Sequence, residues 1–196
     1  MFDAVSLALP PIAAIGPVTN FAPDEEIYAE GERAGALYRV VFGVVRVYRL
    51  LADGRRQICA FNMAGDVFGF EATPERHVFA DAVNAVGLSR LRPDTNDRLR
   101  LALSSLNRAH DHLLTIGRND ASGRVAAFLL DMADRQGTSG AVDLPMSRLD
   151  IADYLGLTIE TVSRVFTRLR EQDVIRLTST RHVELRNPGR LEALTF

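Results

Sequence analysis

Ser147-Arg148-Leu149-Asp150-Ile151-Ala152-Asp153-Tyr154-Leu155-Gly156-Leu157-Thr158-Ile159-Glu160-Thr161-Val162-Ser163-Arg164-Val165-Phe166-Thr167-Arg168-Leu169 reads as two short helices joined by a tight turn. Ser147, with Asp150 three residues on, suits a helix start close to a capping box, in which each side chain serves the other's backbone amide. Ala152 is small where two helices must approach. Gly156 supplies the left-handed backbone of a sharp turn, and Thr158 offers its hydroxyl to the unpaired amides of the next helix. Ile151, Leu155, Leu157, Val162, Val165 and Leu169 form the small core where the helices cross. The spacing predicts one helix near Arg148–Leu155 and another near 159–172, a helix-turn-helix.

The second helix turns Ile159, Glu160, Ser163, Arg164 and Arg168 outward. Glu160, Ser163 and Arg164 stand at three- and four-residue spacing and share one face. A glutamate accepts from a cytosine amino group, an arginine grips guanine, and a serine meets a base or a phosphate. Taken singly, Glu160 is an acid favoured in a helix's first turn and Arg164 a solvated charge. Together, behind this turn, they read as contacts to base edges of double-stranded DNA. The chain carries 23 basic and 25 acidic residues, a net charge of −2, so attraction to a polyanion has to be local. Residues 159–170 supply it, with Arg164, Arg168 and Arg170 against Glu160 alone. All the basic residues are arginine. Downstream, Val174-Ile175-Arg176-Leu177 and Arg181-His182-Val183-Glu184-Leu185 flank Thr178-Ser179-Thr180 as a β-hairpin wing. Ser147, Thr158, Thr161, Arg168, Thr178, Ser179 and Arg181 are the expected contacts to DNA backbone, with Arg176 and Thr180 beside them; the alternative for the wing residues is a solvated tip.

Upstream, residues 93–119 lack strand signals. Leu99, Leu103, Leu106, His110, Leu113 and Gly117 recur at alternating four- and three-residue steps, a heptad-like seam. So narrow a stripe favours a dimer interface over a helix packed on its own domain. His110 is read as a tolerated interface residue and not a metal ligand, and His112 faces another way. A second helix over 122–135 carries Val125, Phe128, Leu129 and Met132 on one side, and the Gly- and Ser-rich stretch 136–141 ends it. Residues 18–91 read as short strands, among them Leu37–Phe42, 44–50 and 57–61, with Asp53-Gly54 as a hairpin turn. Strands at this spacing form a sandwich or barrel.

The 196 residues are 47% hydrophobic and 24% charged, which excludes a disordered chain. No apolar run approaches the roughly 20 residues of a membrane span. Residues 1–17 are apolar but carry Asp3 and no basic start, which argues against a secretory signal and for a leader with a short helix packed on the first domain. Cys59 is the only cysteine, so no intrachain disulfide, iron–sulfur cluster or cysteine-built zinc site is available, which fits the cytoplasm. Cys59 is expected to be a buried strand residue, the alternative being a redox-active thiol in an exposed electropositive setting. No Ser/His/Asp arrangement, metal-ligand spacing or phosphate-binding glycine loop is present, so the chain is not expected to be an enzyme.

With these elements in order, Asp120-Ala121-Ser122-Gly123-Arg124-Val125-Ala126 before the helix-turn-helix and Gly65-Asp66-Val67-Phe68-Gly69-Phe70-Glu71 in the strand region resemble the CRP/FNR superfamily of bacterial transcription regulators over almost the whole chain. Leu157-Thr158-Ile159-Glu160-Thr161-Val162-Ser163-Arg164 is similar to the recognition helix of its FNR and FixK branches. The resemblance implies an α+β fold: an N-terminal β-sandwich or jelly roll of the cyclic-nucleotide-binding kind over 1–92, a dimerisation helix over 93–121 and a winged helix-turn-helix over 122–196. It implies a homodimeric transcription regulator, an activator, reading a TTGA/TCAA palindrome through Glu160, Ser163 and Arg164, with RNA polymerase as a further partner. The alternative is a one-component sensor that binds DNA only on a small-molecule or redox signal. The chain departs from its ligand-binding relatives: Phe70 follows Gly69 where cyclic-nucleotide binders carry Gly-Glu, and His77 follows Arg76 where they carry Arg-Ser. His77 stands alone in the strand region, and Cys59 cannot replace the cysteines of an iron–sulfur sensor. No nucleotide, haem, metal or other cofactor is assigned, and the FixK-type branch is the nearest match.

Overall fold

Alternating inward and outward side chains, broken by turn residues, fold the first half of the chain into strands. The computed structural model describes residues 14–118 and 120–195. Its strands are β1 (Ala14–Phe21), β2 (Glu26–Tyr28), β3 (Leu37–Phe42), β4 (Val45–Leu50), β5 (Arg56–Asn62), β6 (Val67–Phe68), β7 (Phe79–Ala82) and β8 (Val86–Leu91). They form two four-stranded sheets, β1-β8-β3-β6 and β2-β7-β4-β5, whose pairs are all antiparallel. Tyr28, Val40, Val45, Phe68, Ala80, Val86 and Leu88 are buried between them. The expected sandwich is present, and Asp53-Gly54 makes the β4–β5 hairpin, with Leu51 donating to the Arg55 carbonyl at 2.8 Å. The leader expected over 1–17 lies largely outside the described residues; from Ala14 onward the chain is strand and not helix.

Helix α1 (Thr95–Ile116) starts at Asp94, whose carboxylate accepts from the Asp97 amide at 2.8 Å. Leu101 packs with Leu37, Val67 and Leu91 of the sandwich. The expected seam faces away from it: Leu99, Leu103, Leu106 and Leu113 are 48–59% exposed, and His110 and Leu114 are exposed beside them. His112 does point elsewhere.

Helix α2 (Ala121–Arg135) buries Val125, Phe128, Leu129 and Met132, as its periodicity requires. It leads to β9 (Ala141–Asp143), α3 (Arg148–Leu155), α4 (Ile159–Glu171), β10 (Ile175–Leu177), β11 (His182–Leu185) and α5 (Pro188–Ala193). Strand β9 completes the sheet β10-β11-β9. Sequence reading missed β9 and α5, because three and six residues are too few to display a period. Helix α5 buries Leu191, and Gly123 lets that end of the chain close on α2, since a Cβ there would lie 2.8 Å from the Leu194 carbonyl oxygen.

The two halves share one core. Val44, Ile58, Phe61 and Val83 of the sandwich are continuous with Phe128, Leu129, Ile151 and Leu155. Tyr154 of α3 stacks on His112 of α1 with ring centres 3.9 Å apart, and Phe61 lies 5.0 Å from the same ring. A chain of charges reinforces the joint. Arg56 on β5 reaches Asp150 at 2.5 Å and Asp153 at 2.8 Å, and Arg46 on β4 reaches Asp150 at 3.4 Å while pairing with Asp81 and Asp24. Gln57 donates to the Asp153 carbonyl at 2.7 Å. Asp150 is only 4% exposed and would be costly to bury without these partners.

Candidate nucleic-acid interface

Both donors of Ser147 serve the α3 N-terminus. Its hydroxyl accepts from the Asp150 amide at 3.0 Å and donates to Asp150 Oδ2 at 2.7 Å, and its own amide donates to that oxygen at 3.0 Å, a complete capping box. The same carboxylate that caps the helix thus ties it to β4 and β5. Gly156 takes φ +62° and ψ 40°, the left-handed turn its sequence position demanded. Thr158 then caps α4, accepting from the Thr161 amide at 3.2 Å. Ile151, Leu155, Val162, Val165 and Leu169 are buried at the crossing with Phe166, while Leu157 is half-buried.

This anchoring leaves one face of α4 open. Ile159, Glu160, Ser163, Arg164, Thr167 and Arg168 are all exposed, and Ser163, Arg164, Thr167, Arg168 and Glu171 line a shallow concavity. Thr167 extends the Ser163 side of the face by four residues, and a lone threonine carries no pattern by which the sequence alone distinguishes it. Hydrogen bonds from its own backbone amide and from Thr158, with nearby Arg164 adding to them, hold the Glu160 carboxyl below the ordinary glutamate range, so it is an ionised acceptor at neutral pH. Arg164 Nη2 donates to Thr161 Oγ1 at 3.2 Å. Arg148, by contrast, lies over the Phe166 ring at 3.6 Å, and burial lowers its guanidinium from the usual value; it serves packing.

The wing tip, residues 178–181, is exposed. Ser179 Oγ accepts from the Arg181 and His182 amides at 3.1 and 2.9 Å, and Thr178 Oγ1 donates to the His182 carbonyl at 3.4 Å, so both hydroxyls shape the turn. Arg181 projects from it, and Arg176 sits 4.0 Å from Glu184. Of the expected backbone contacts, Arg168, Thr178, Ser179 and Arg181 are presented on exposed surface with the reading face and wing. Ser147 is exposed too, yet its hydroxyl and amide protons are committed to Asp150.

The sandwich also meets its expectations unevenly. Arg76 is buried, its guanidinium donating to the Gly69 carbonyl at 2.7 Å and the Ala36 carbonyl at 2.9 Å and lying 4.1 Å over the Tyr28 ring. Gly69 has φ +94°, and a Cβ there would come within 2.9 Å of the Ala36 oxygen. With both terminal nitrogens of Arg76 turned onto carbonyls and Phe70 in place of an acid, the site lacks the paired grip of a cyclic-phosphate cassette, although Arg76 Nε is buried without a partner. His77 bonds to Thr73 Oγ1 at 2.7 Å. Cys59 corrects the expectation of burial: it is exposed on β5. Lost solvation nevertheless raises its thiol pKa, with Arg49 pulling the other way, which disfavours the reactive thiolate. No group of three or more metal-ligating side chains occurs among the described residues, and none of their helices is long and apolar enough to cross a membrane.

Residues 123–194 match the Crp-like helix-turn-helix domain family, and residues 18–94 match the cyclic nucleotide-binding domain family. The chain is 46% identical over 193 residues to the nitrogen fixation regulation protein FixK of Rhizobium meliloti, covering 95% of this chain and 92% of that protein. It is 39% identical over 192 residues to the transcriptional activatory protein AadR of Rhodopseudomonas palustris, covering 89% and 80%. Among solved structures, FixK2 from Bradyrhizobium japonicum superposes with a TM-score of 0.84 at 42% identity, covering 92% of this chain and 98% of that one.

Proposed function

The chain belongs to the CRP/FNR family of transcription regulators, FixK-like in sequence and fold, and from that premise we propose that it works in the cytoplasm as a homodimeric activator reading a TTGA/TCAA palindrome. One observation carries the reading: Glu160, Ser163 and Arg164 stand together on the open face of α4, above a helix pair fixed by a capping box, a left-handed glycine and a buried core. A carboxylate acceptor, a hydroxyl and a guanidinium at this spacing suit base edges in a major groove. Arg168, Thr161, Thr178, Ser179 and Arg181 flank them at the phosphate rails, and Thr158 adds its helix cap.

The exposed Leu99, Leu103, Leu106, His110 and Leu113 stripe supports pairing of two α1 helices. Pairing sets two recognition helices about 34 Å apart, one turn of the duplex. The sandwich then offers its outer surface to RNA polymerase. In this reading residues 1–92 form the sensor-like domain, 93–121 the dimerisation helix and 122–196 the DNA-binding domain.

The test is a binding titration of the purified protein on the palindrome and on its single-base variants. Arg164→Ala should cost about 1–3 kcal/mol on the full site and relax discrimination at one base pair. Equal loss on random DNA would make Arg164 a phosphate contact and defeat the assignment. A second reading, effector gating, draws on a cavity of about 270 Å³ between the sandwich and α1, where Tyr28 Oη and Asn62 Nδ2 are buried without partners. Palindrome binding without additive favours the first reading; binding that requires a small molecule or an oxidant favours the second.

A further inference from the structure

Tyr154 of α3 is held from several sides. The Phe61 ring of β5 lies 5.0 Å from its centre and the Phe128 ring of α2 lies 5.9 Å away, so its place is set by the sandwich and α2 together. His112 of α1 stacks on the remaining face at 3.9 Å, with the two planes 16° apart. His112 Nδ1 is buried without a partner, so no bond at that nitrogen places the ring. A cavity of about 100 Å³, bordered also by Arg108, Asp111, Thr115 and Asp131, adjoins the two rings, so close packing does not continue around them. The Asp66 carboxylate adds a looser brace, taking Arg135 of α2 at 2.7 Å and Arg108 of α1 at 3.8 Å.

The same helices are tied at a further point. Arg124 of α2 donates to the Arg118 carbonyl just beyond α1 at 2.8 Å and to the Leu155 carbonyl at the end of α3 at 3.1 Å. One point of attachment leaves a pivot; a second fixes an angle. His112 lies about one turn, roughly 5 Å, back from the end of α1, so its stack supplies that second point.

We propose that the His112–Tyr154 stack sets the half-site spacing the protein accepts, His112 acting as a positioning residue that holds the reading helix α4 at a fixed angle to α1. The inference rests on two α1 helices pairing while two α4 helices read a palindrome. Pairing fixes the α1 axes, so the angle at this joint decides how far apart, and at what rotation, the α4 helices stand. One base pair more or less between half-sites moves them by about 3.4 Å and turns them by about 35° around the duplex. A stiff joint cannot follow that change; a loose one can. Reading within a half-site depends on α4 itself and is untouched.

His112→Leu removes the flat ring yet stays apolar and suits a helix; His112→Phe restores a ring. Circular dichroism and sedimentation verify folded dimers, with His112→Met as the substitute should the leucine variant misfold. Full-length protein is titrated on the palindrome, on palindromes with half-sites one base pair closer or farther apart, and on single-base variants. Wild-type protein should prefer one spacing. His112→Leu should shrink that preference about three- to tenfold, the range an aromatic pair contributes, with base discrimination unchanged, and His112→Phe should recover it. Spin labels on Arg170→Cys, exposed on α4, in a Cys59→Ser background report the distance between the two reading heads without DNA. The distribution should be narrow for wild type and His112→Phe and broad for His112→Leu. An unchanged spacing preference would overturn the proposal, as would an undisturbed distance distribution. Base discrimination lost along with spacing would mean damage to the helix-turn-helix and overturn it too, as would a wild-type dimer indifferent to spacing. If wild-type protein showed no preference for the palindrome over random DNA, the parent reading would fall and this one with it; with that preference intact, the spacing series decides this inference alone.

Discussion

Replacing Asp150 with alanine should show that the DNA-reading half of the molecule is bolted to the sandwich through one carboxylate. Asp150 Oδ1 takes Arg56 at 2.5 Å and Arg46 at 3.4 Å; Oδ2 takes the Ser147 hydroxyl and amide. Asp150→Ala leaves neither arginine stranded, because Arg56 keeps Asp153 and Arg46 keeps Asp81 and Asp24. The cost therefore falls toward the lower end of the roughly 3–5 kcal/mol of a fully orphaned buried charge. Charged hydrogen bonds to the arginines contribute about 1.5–3 kcal/mol and the damaged helix start about 1 kcal/mol, so about 3 kcal/mol is expected. In a chain of this size that lowers the melting temperature by about 6–12 °C. Ser147→Ala is the control, losing the cap alone at about 1 kcal/mol. Urea unfolding at one fixed protein concentration compares the two, and a cycle with Arg56→Met should return a coupling of about 1–2 kcal/mol. An Asp150→Ala protein within about 0.5 kcal/mol of Ser147→Ala, a margin typical of additive sites, would show that the ties to β4 and β5 contribute nothing and refute the reasoning.

Leu106→Glu places a charge amid the exposed α1 stripe. With each leucine contributing about 1.5–3 kcal/mol when buried and two copies lost per dimer, dimer dissociation should strengthen at least about a hundredfold by sedimentation velocity; an unchanged mass would remove this face from the interface. Burial against Tyr154 pushes the His112 imidazole down from 6.5 to about 4, and its Nδ1 is buried without a partner. The folded state thus favours the neutral ring: its contribution is complete above pH 6.5 and is lost as the unfolded chain takes up a proton between 6.5 and 4. Taken whole, that shift is worth about 3 kcal/mol; partial solvation of the ring reduces the stability expected to disappear across the window to roughly 2 kcal/mol, and His112→Phe, which keeps the stack, should flatten the decline. Parallel pH curves for the two proteins would contradict the linkage.

The helix-turn-helix was legible because its constraints are local. Ser147 and Asp150, Gly156, and Thr158 each act within a few residues of themselves, so spacing alone exposes their purpose. The strands around Asp53-Gly54 and the apolar side of α2 were readable for the same reason. The joint between the halves was not. Arg46 and Asp150 are 104 positions apart, and Arg56 and Asp150 are 94 apart; as isolated letters they look like surface charges. Arg76 likewise stood where relatives hold a phosphate, and only its two carbonyl partners reveal a different use. His112 was seen to leave the seam, but its stack on Tyr154 depends on α3 returning across α1. A free strand cysteine is expected inward, as that residue type usually is, and the register of β5 turns Cys59 out.

The interior that runs unbroken from Ile58 to Leu155 makes this regulator a poor kit of parts. A segment cut off near residue 119 would bare Phe128 on one fragment and Phe61 on the other, so neither piece should survive proteolysis as a soluble remnant. Grafting its reading head onto a foreign sensor would likewise require carrying along the β5 surface that completes it.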